Sequence, residues 1–331
     1  MPFPLIAVVG PTATGKSDLA LDLAEVLRGD DGAPTEIVNA DAYQLYRGMD
    51  VGTAKVPVDQ RRGIVHHQLD VLDPVDDASV ARYQMNARAD CDGIAGRGGR
   101  AVIVGGSGLY VRALLDEMNF PGTDASVRAD LEARVEREGR RALHDELARL
   151  DSAAAASIGP HNTRRIVRAL EVIAITGQPY TANLPRQEYV RPSLQIGLDC
   201  SRDLVDERVA RRVQRMRDGG LVDEVRALAS PDQGGQGAGL GVTAARAVGY
   251  AEILRHFAGD CTLDDAFEQV TANTRRLARK QMGWFGRDPR VHWLDAAAPD
   301  LAARALALVA AADTGNLPAP DNGPVRRSLG S

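Results

Sequence analysis

A chain of 331 residues, 44% hydrophobic and 26% charged, has an ordinary globular composition, with room for two domains or one domain carrying an insertion. Its formal net charge of −5 excludes a protein that coats nucleic acid over its whole surface, leaving only a local basic groove open, and 4% aromatics confine base stacking to few residues. Cys91, Cys200 and Cys261 lack metal-ligand spacing, no apolar run can span a bilayer, and the first strand starts at once, so a cytoplasmic protein with reduced thiols is expected.

Residues 5–9 (Leu-Ile-Ala-Val-Val) read as a buried strand, followed by Gly10-Pro11-Thr12-Ala13-Thr14-Gly15-Lys16-Ser17 and a helical pattern over 18–27. Strand, glycine-bounded loop, Lys-Ser and helix make a P-loop in its required context. Gly10 and Gly15 let the backbone curl until successive N–H groups face one anion, and the helix N-terminus adds its positive end. Lys16 brings a point charge to the phosphates, and the Ser17 hydroxyl can ligate Mg²⁺. A tight turn that binds nothing would not explain Lys and Ser side by side. Which phosphates the loop holds is left open by the motif.

Residues 36–41 form a second short strand ending on Asp41, and 66–72 a third. The adjacent His66 and His67 point to opposite faces of a strand and have no third ligand nearby, so they predict one packed and one exposed histidine, not a metal site. Residues 80–94 have helical periodicity. Ala101-Val102-Ile103-Val104 is a buried strand closed by Gly105-Gly106-Ser107-Gly108 and a helix over 109–115. Strands alternating with helices imply a parallel sheet covered on both faces, with ligands beyond the carboxyl ends of its strands. The P-loop, Asp41 and the 105–107 turn would share that edge.

From Phe120 helix formers dominate, with helices expected at 128–138, 140–150 and 164–175. A strand resumes at 195–198, then helices at 208–217 and 221–228, a Gly/Gln-rich loop over 230–241 expected to be mobile, a long helix over 263–285, a strand at 291–294 and a last helix over 300–312. The expected fold is α/β: a P-loop NTPase-like parallel sheet flanked by helices, with an all-helical insertion domain. The catalytic core would comprise 1–119 and 191–312, the insertion 120–190, and a disordered tail 313–331.

Asp41 beside a P-loop has three readings: a Mg²⁺ ligand, a general base, or a loop cap. Gly105 and Gly106 offer further N–H groups to the phosphates, with the Ser107 hydroxyl alongside. Arginines cluster at Arg164, Arg165 and Arg168, along Arg208, Arg211, Arg212, Arg215 and Arg217, and at Arg275, Arg276, Arg279 and Lys280. One such run reads equally well as a solvated helix face; three in an acidic protein favour a polyanion. Tyr43, Tyr46, Tyr250, Trp284 and Phe285 are candidate stacking partners, with Trp284 equally suited to the core.

The P-loop octet, Asn39-Ala40-Asp41, the run Gln44-Leu45-Tyr46-Arg47-Gly48-Met49-Asp50-Val51-Gly52-Thr53-Ala54-Lys55, Val104-Gly105-Gly106-Ser107-Gly108-Leu109-Tyr110, Arg168-Ala169-Leu170-Glu171-Val172, Val248-Gly249-Tyr250 and Thr274-Arg275-Arg276-Leu277-Ala278-Arg279-Lys280-Gln281 occur in this order. In them the chain resembles the bacterial tRNA dimethylallyltransferase family. The resemblance implies transfer of a dimethylallyl group from dimethylallyl diphosphate to N6 of adenosine 37 in the tRNA anticodon loop. By that likeness the P-loop holds the donor's diphosphate rather than ATP, with Lys16, Arg212 and Ser17, the last through Mg²⁺. Asp41 would accept the N6 proton, and Ser107 stands where the family usually has Thr. Asp41, Ala42, Tyr43, Gln44, Ser107, Arg128, Arg164, Arg165, Arg168, Arg246, Gly249 and Tyr250 match tRNA-contacting positions, and Arg275, Arg276, Arg279 and Lys280 would grip the anticodon stem-loop. A monomer off the membrane is implied. Ala42-Tyr43 departs from the family's Ser-Met, and Gly286 from its Arg. Two other readings remain: a P-loop small-molecule kinase using ATP with the insertion as a lid, and a nucleotide-gated RNA-binding protein.

Overall fold

The computed structural model describes residues 4–28, 33–183, 187–229, 239–320 and 329. In chain order the elements are β1 (Leu5–Val9), α1 (Lys16–Val26), β2 (Thr35–Asn39), β3 (His66–His67), α2 (Val80–Gly96), β4 (Arg100–Gly105) and α3 (Gly108–Leu115). Then come α4 (Ala125–Glu138), α5 (Arg140–Leu150), α6 (Ser152–Ile158) and α7 (Thr163–Thr176). The chain continues through β5 (Ser193–Asp199), α8 (Arg202–Asp218), α9 (Leu221–Ala229), α10 (Tyr250–Phe257), α11 (Leu263–Phe285), β6 (Val291–Asp295) and α12 (Leu301–Asp313). Two compact units result: one of Met1–Leu115 with Tyr189–Ser331, the other Asp116–Glu188.

The first unit is built on a six-stranded sheet of order β3-β2-β4-β1-β5-β6, every described pairing parallel. β1 is buried along its whole length, flanked by β4 (Ile6 opposite Val102) and β5 (Ile6 opposite Leu194). Because successive side chains point to opposite faces, Leu5, Ala7 and Val9 enter one core cluster while Ile6 and Val8 enter another with Leu19 and Leu23 of α1. Two cores on two faces explain why the central strands are apolar without alternation.

α11 shows how sequence sets an element. Thr262 and Asp265 form a reciprocal capping box at its start. Phe267, Val270, Thr274, Ala278, Gln281, Met282 and Phe285 then recur at helical spacing on the buried side, leaving Arg276, Arg279 and Lys280 outside. In the second unit, Asn162 caps α7 by accepting from the Arg165 N–H, and Gly177 ends it in the left-handed region. Ile166, Val167, Ala169 and Leu170 of α7 pack with Leu131, Leu143 and Leu147 in that unit's own core.

Several expectations are corrected. The strand expected over 66–72 stops at His67, because Gln68 (φ 57°) and Asp70 (φ 56°) turn into the left-handed region; Leu72 returns only as an isolated bridge to Tyr46. Neither histidine is exposed: both are half-buried, His66 against the Ile64 carbonyl and His67 2.5 Å from a Glu36 carboxylate oxygen. The helical unit has α6 besides the three expected helices, and α10 is a further helix outside the expected set. Asp313, assigned to the tail, ends α12 and pairs with Arg100 at 2.7 Å. Residues 230–238 of the Gly/Gln-rich loop, and 321–328, 330 and 331 of the tail, lie outside the described residues.

Candidate active site

The carboxyl ends of β1, β2 and β4 carry the P-loop, Asp41 and the 105–107 turn. Gly10 leaves β1 at φ 132° with its Cα against β5; a Cβ there would lie 2.6 Å from the Leu198 carbonyl oxygen, so only glycine fits. Pro11 O accepts from Thr14 Oγ1 (2.9 Å) and from Lys16 Nζ (2.6 Å), closing the loop on itself. Burial and the neighbouring Arg212 pull the Lys16 ammonium down to about 7, against a smaller opposing pull from Asp41. Arg212 is itself lowered by burial and by Arg215, and donates to Thr12 Oγ1 at 2.7 Å. This much positive charge in a desolvated site is what an anion would relieve.

Asp41 lies beyond β2 on a short polar lattice. Its N–H donates to Asn39 Oδ1 (3.0 Å), and its Oδ1 accepts from the Tyr43 N–H (3.0 Å). Burial raises the Asp41 carboxyl above the usual carboxylate range, outweighing the Tyr43 N–H and the charges of Lys16 and Arg212, which favour ionisation. A half-buried carboxyl of raised pKa beside two cations suits a proton acceptor. Ser107 Oγ accepts from the Ala42 N–H at 3.1 Å, tying the β4 turn to the segment after β2. The Arg246 charge reaches the Tyr43 hydroxyl, so residues 41–44 and 246 belong to one neighbourhood.

Two residues outside the sequence assignments hold this site together. Gln281 Oε1 accepts from the Thr12 N–H at 2.8 Å, while its Nε2 lies 2.3 Å from where a Cβ on Gly106 would stand. Gln281 therefore bridges the P-loop and the β4 turn. Its only signals in sequence are its place at the end of the 274–281 motif and a polar residue in a buried helical register. Glu224 of α9 accepts from the N–H groups of Asp50, Val51 and Gly52 and from the Tyr250 hydroxyl. Lys55 is buried, its Nζ 2.6 Å from both Asp50 and Asp70 carboxylates, and Gln44 Nε2 donates to the Thr53 carbonyl. The 50–55 run is thus the frame behind Gln44. Nothing local in the sequence marks Glu224.

The RNA-contact assignments divide by exposure. Arg246, Arg276, Arg279 and Lys280 are exposed in the first unit, and Arg164 and Arg165 in the second. Tyr250 has no exposed surface and Gly249 is buried, and the Tyr250 hydroxyl is held by Glu224. Arg275 is half-buried beside Asp206. In the second unit Arg168 is bound to the Pro121 and Gly122 carbonyls and, with Arg128, to the fully buried Glu171. Arg128, Arg164 and Arg168 nevertheless line a cleft of about 570 Å³ on that unit. Of the stacking candidates, Tyr46, Tyr250 and Phe285 are core, Tyr43 is half-buried and Trp284 is 41% exposed.

The Ser17 hydroxyl, in the first turn of α1, makes no hydrogen bond among the described residues, and a hard hydroxyl oxygen there fits Mg²⁺. No group of three or more His, Cys, Asp or Glu side chains that could hold a metal occurs among the described residues.

The family model for IPP transferase matches residues 44–288. The chain is 57% identical over 307 residues to a tRNA dimethylallyltransferase of Thermobifida fusca, spanning 92% of this chain and 94% of that one. It is 54% identical over 310 residues to that of Kineococcus radiotolerans, spanning 92% and 96%. Among solved structures it resembles a tRNA isopentenylpyrophosphate transferase of Bacillus halodurans (TM-score 0.65, 36% identity, 95% of this chain and 96% of that one). A eukaryotic dimethylallyltransferase acting on tRNA shares the fold at TM-score 0.80 and 23% identity, with 96% of this chain and 81% of that one covered.

Proposed function

We infer the reaction from the premise that this chain belongs to the IPP transferase family: it is a prenyltransferase that moves a dimethylallyl group onto tRNA, as its relatives over nine-tenths of the chain are named for doing. The kinase alternative is set aside because those relatives transfer a prenyl group, not a phosphoryl group. The donor is dimethylallyl diphosphate, the acceptor N6 of adenosine 37 in the anticodon loop, and the protein acts as a cytoplasmic monomer with Mg²⁺. Among the described residues no helix is long and apolar enough to cross a membrane. The observation that carries the chemistry is the pairing of a cationic P-loop with a half-buried carboxyl: Asp41 lies close enough to Lys16 and to Arg212 for each to feel its charge and it theirs.

The step is a substitution at C1 of the dimethylallyl group. The N6 lone pair forms the new N–C bond, the C1–O bond breaks, and its electron pair leaves with the diphosphate. Charge accumulates on that leaving group, so donors fixed around it lower the barrier most. The P-loop N–H groups, Lys16 and Arg212 supply them, with Arg212 steadied on Thr12 and Thr12 on Gln281. Ser17 would hold Mg²⁺, which when bound neutralises part of the diphosphate charge. The proton released from N6 passes to Asp41. Adenosine must leave its stack to reach this site, at a cost of a few kcal/mol. Phosphate contacts from the exposed arginines and Lys280 offset it, in a manner weakened by salt.

The direct test is incubation of the protein with dimethylallyl diphosphate labelled in the prenyl group, unmodified tRNA and Mg²⁺. Label enters the RNA, and chelation of the metal stops it. Failure of label to enter RNA, with transfer of the γ-phosphate of ATP to a small acceptor instead, would overturn the reading.

A further inference from the structure

A cleft of about 520 Å³ is lined by Ala13, Thr14 and Gly15 of the P-loop, by Pro299 after β6, and by Arg208, Arg211, Arg212 and Arg215 of α8. The four arginines follow positions i, i+3, i+4 and i+7 of α8, which places them on one helix face. Two carboxylates, Asp18 and Asp22, also line the cleft, and Asp22 is paired with Arg62. Among the described residues, Arg212 is the one of these four that hydrogen-bonds the P-loop, through Thr12. Arg211 has a loose partner in Glu207 at 3.4 Å, and Arg208 and Arg215 have no ion-pair partner among the described residues. Arg215 lies near enough to Arg212 to disfavour its charge, so the like charges repel one another unless an anion lies among them.

In the prenyl-transfer reading, Lys16, Arg212 and the P-loop N–H groups hold the donor's diphosphate. The remaining three arginines are surplus to that task, yet they continue its positive field outward along the cleft. We propose that Arg208, Arg211 and Arg215 form an antechamber that captures a diphosphate group and steers it into the P-loop. This rests on the prenyl-transfer reading and extends it to how the donor reaches the site. A cleft lined by one sign of charge concentrates counter-ions and raises association rates by about 10 to 10³, an effect that falls steeply with ionic strength.

The test is the double variant Arg211→Ser/Arg215→Ser, since both side chains are exposed and neither supports the core. At low ionic strength kcat/KM for dimethylallyl diphosphate should fall about tenfold, with kcat and the KM for tRNA unchanged, and the salt dependence of kcat/KM should flatten. Binding of inorganic diphosphate, measured by calorimetry without RNA, should weaken in parallel. Arg211→Lys/Arg215→Lys should restore both, because steering needs charge and not a guanidinium fork. An unaltered kcat/KM and salt slope overturn the proposal. So does a loss confined to inorganic diphosphate, which would make the cleft an exit only, or a loss confined to the KM for tRNA, which would assign it to RNA. Incorporation of label into RNA by the unmodified protein separates failure of the antechamber from failure of the prenyl-transfer reading.

Discussion

Replacing Asp41 with Asn isolates the proton acceptor. Asp41 Oδ1 accepts from the Tyr43 N–H, and its own N–H is held by Asn39, so an amide oxygen can keep the same contact and the 41–44 segment stays in place. What disappears is the basic oxygen and one negative charge. General-base assistance accounts for about 10² to 10⁴ in rate, or about 2.7–5.4 kcal/mol of barrier, so kcat in single-turnover transfer of labelled prenyl group should fall by that factor. The dissociation constant for tRNA should stay within about twofold, the contacts of the segment being intact, a small fraction of 1.4 kcal/mol. A pH profile adds a second readout. Burial raises the Asp41 pKa, and the ionised form is the active one, so activity is present above the raised pKa and is lost as pH falls through it. That acid limb should lie above the range of ordinary carboxylates and vanish in Asp41→Asn. A variant that keeps full kcat, or keeps the limb, overturns the base assignment.

Lys16 titrates near 7 in the free protein, so its charge is present below pH 7 and lost above it. Diphosphate binding above that pH should take up a proton and weaken as pH rises, which calorimetry in buffers of different ionisation heat reads directly; binding without proton uptake counts against it. Glu224→Ala removes the acceptor of three backbone N–H groups and of the buried Tyr250 hydroxyl. The amides can partly rehydrate and the hydroxyl cannot, so urea unfolding should show a loss of about 1–3 kcal/mol, and an unchanged midpoint would refute the clamp. Gly106→Ala forces Gln281 to move, since the new Cβ would stand 2.3 Å from its Nε2. That shift frees the Thr12 N–H, and kcat/KM for the donor should drop about tenfold, near 1.4 kcal/mol, with tRNA binding unaffected; equal loss for both substrates would show general unfolding instead.

The sequence by itself determines what depends on near neighbours along the chain. A P-loop is made by consecutive backbone N–H groups, so its glycines, Lys16 and Ser17 are legible together. The apolar run of β1 and the 3.6-residue stripe of α11 are legible for the same reason: local geometry dictates the spacing of buried side chains. Left-handed turns at Gln68 and Asp70, which cut a strand short, carry no such pattern.

Tertiary structure alone decides which charges are spent and which are free. Arginines at 128, 164, 165 and 168 look alike as a sequence, yet Arg128 and Arg168 share the buried Glu171 while Arg164 and Arg165 remain exposed. Tyr43 and Tyr250 look alike as a sequence, yet Tyr43 is half-buried and Tyr250 has no exposed surface. The links that complete the site join Thr12 to Gln281, 269 residues away, and to Arg212, 200 away. Hydrogen bonds of that separation depend on how helices pack over the sheet. Side-chain periodicity reports that an element has a buried face; only packing determines which distant group that face meets.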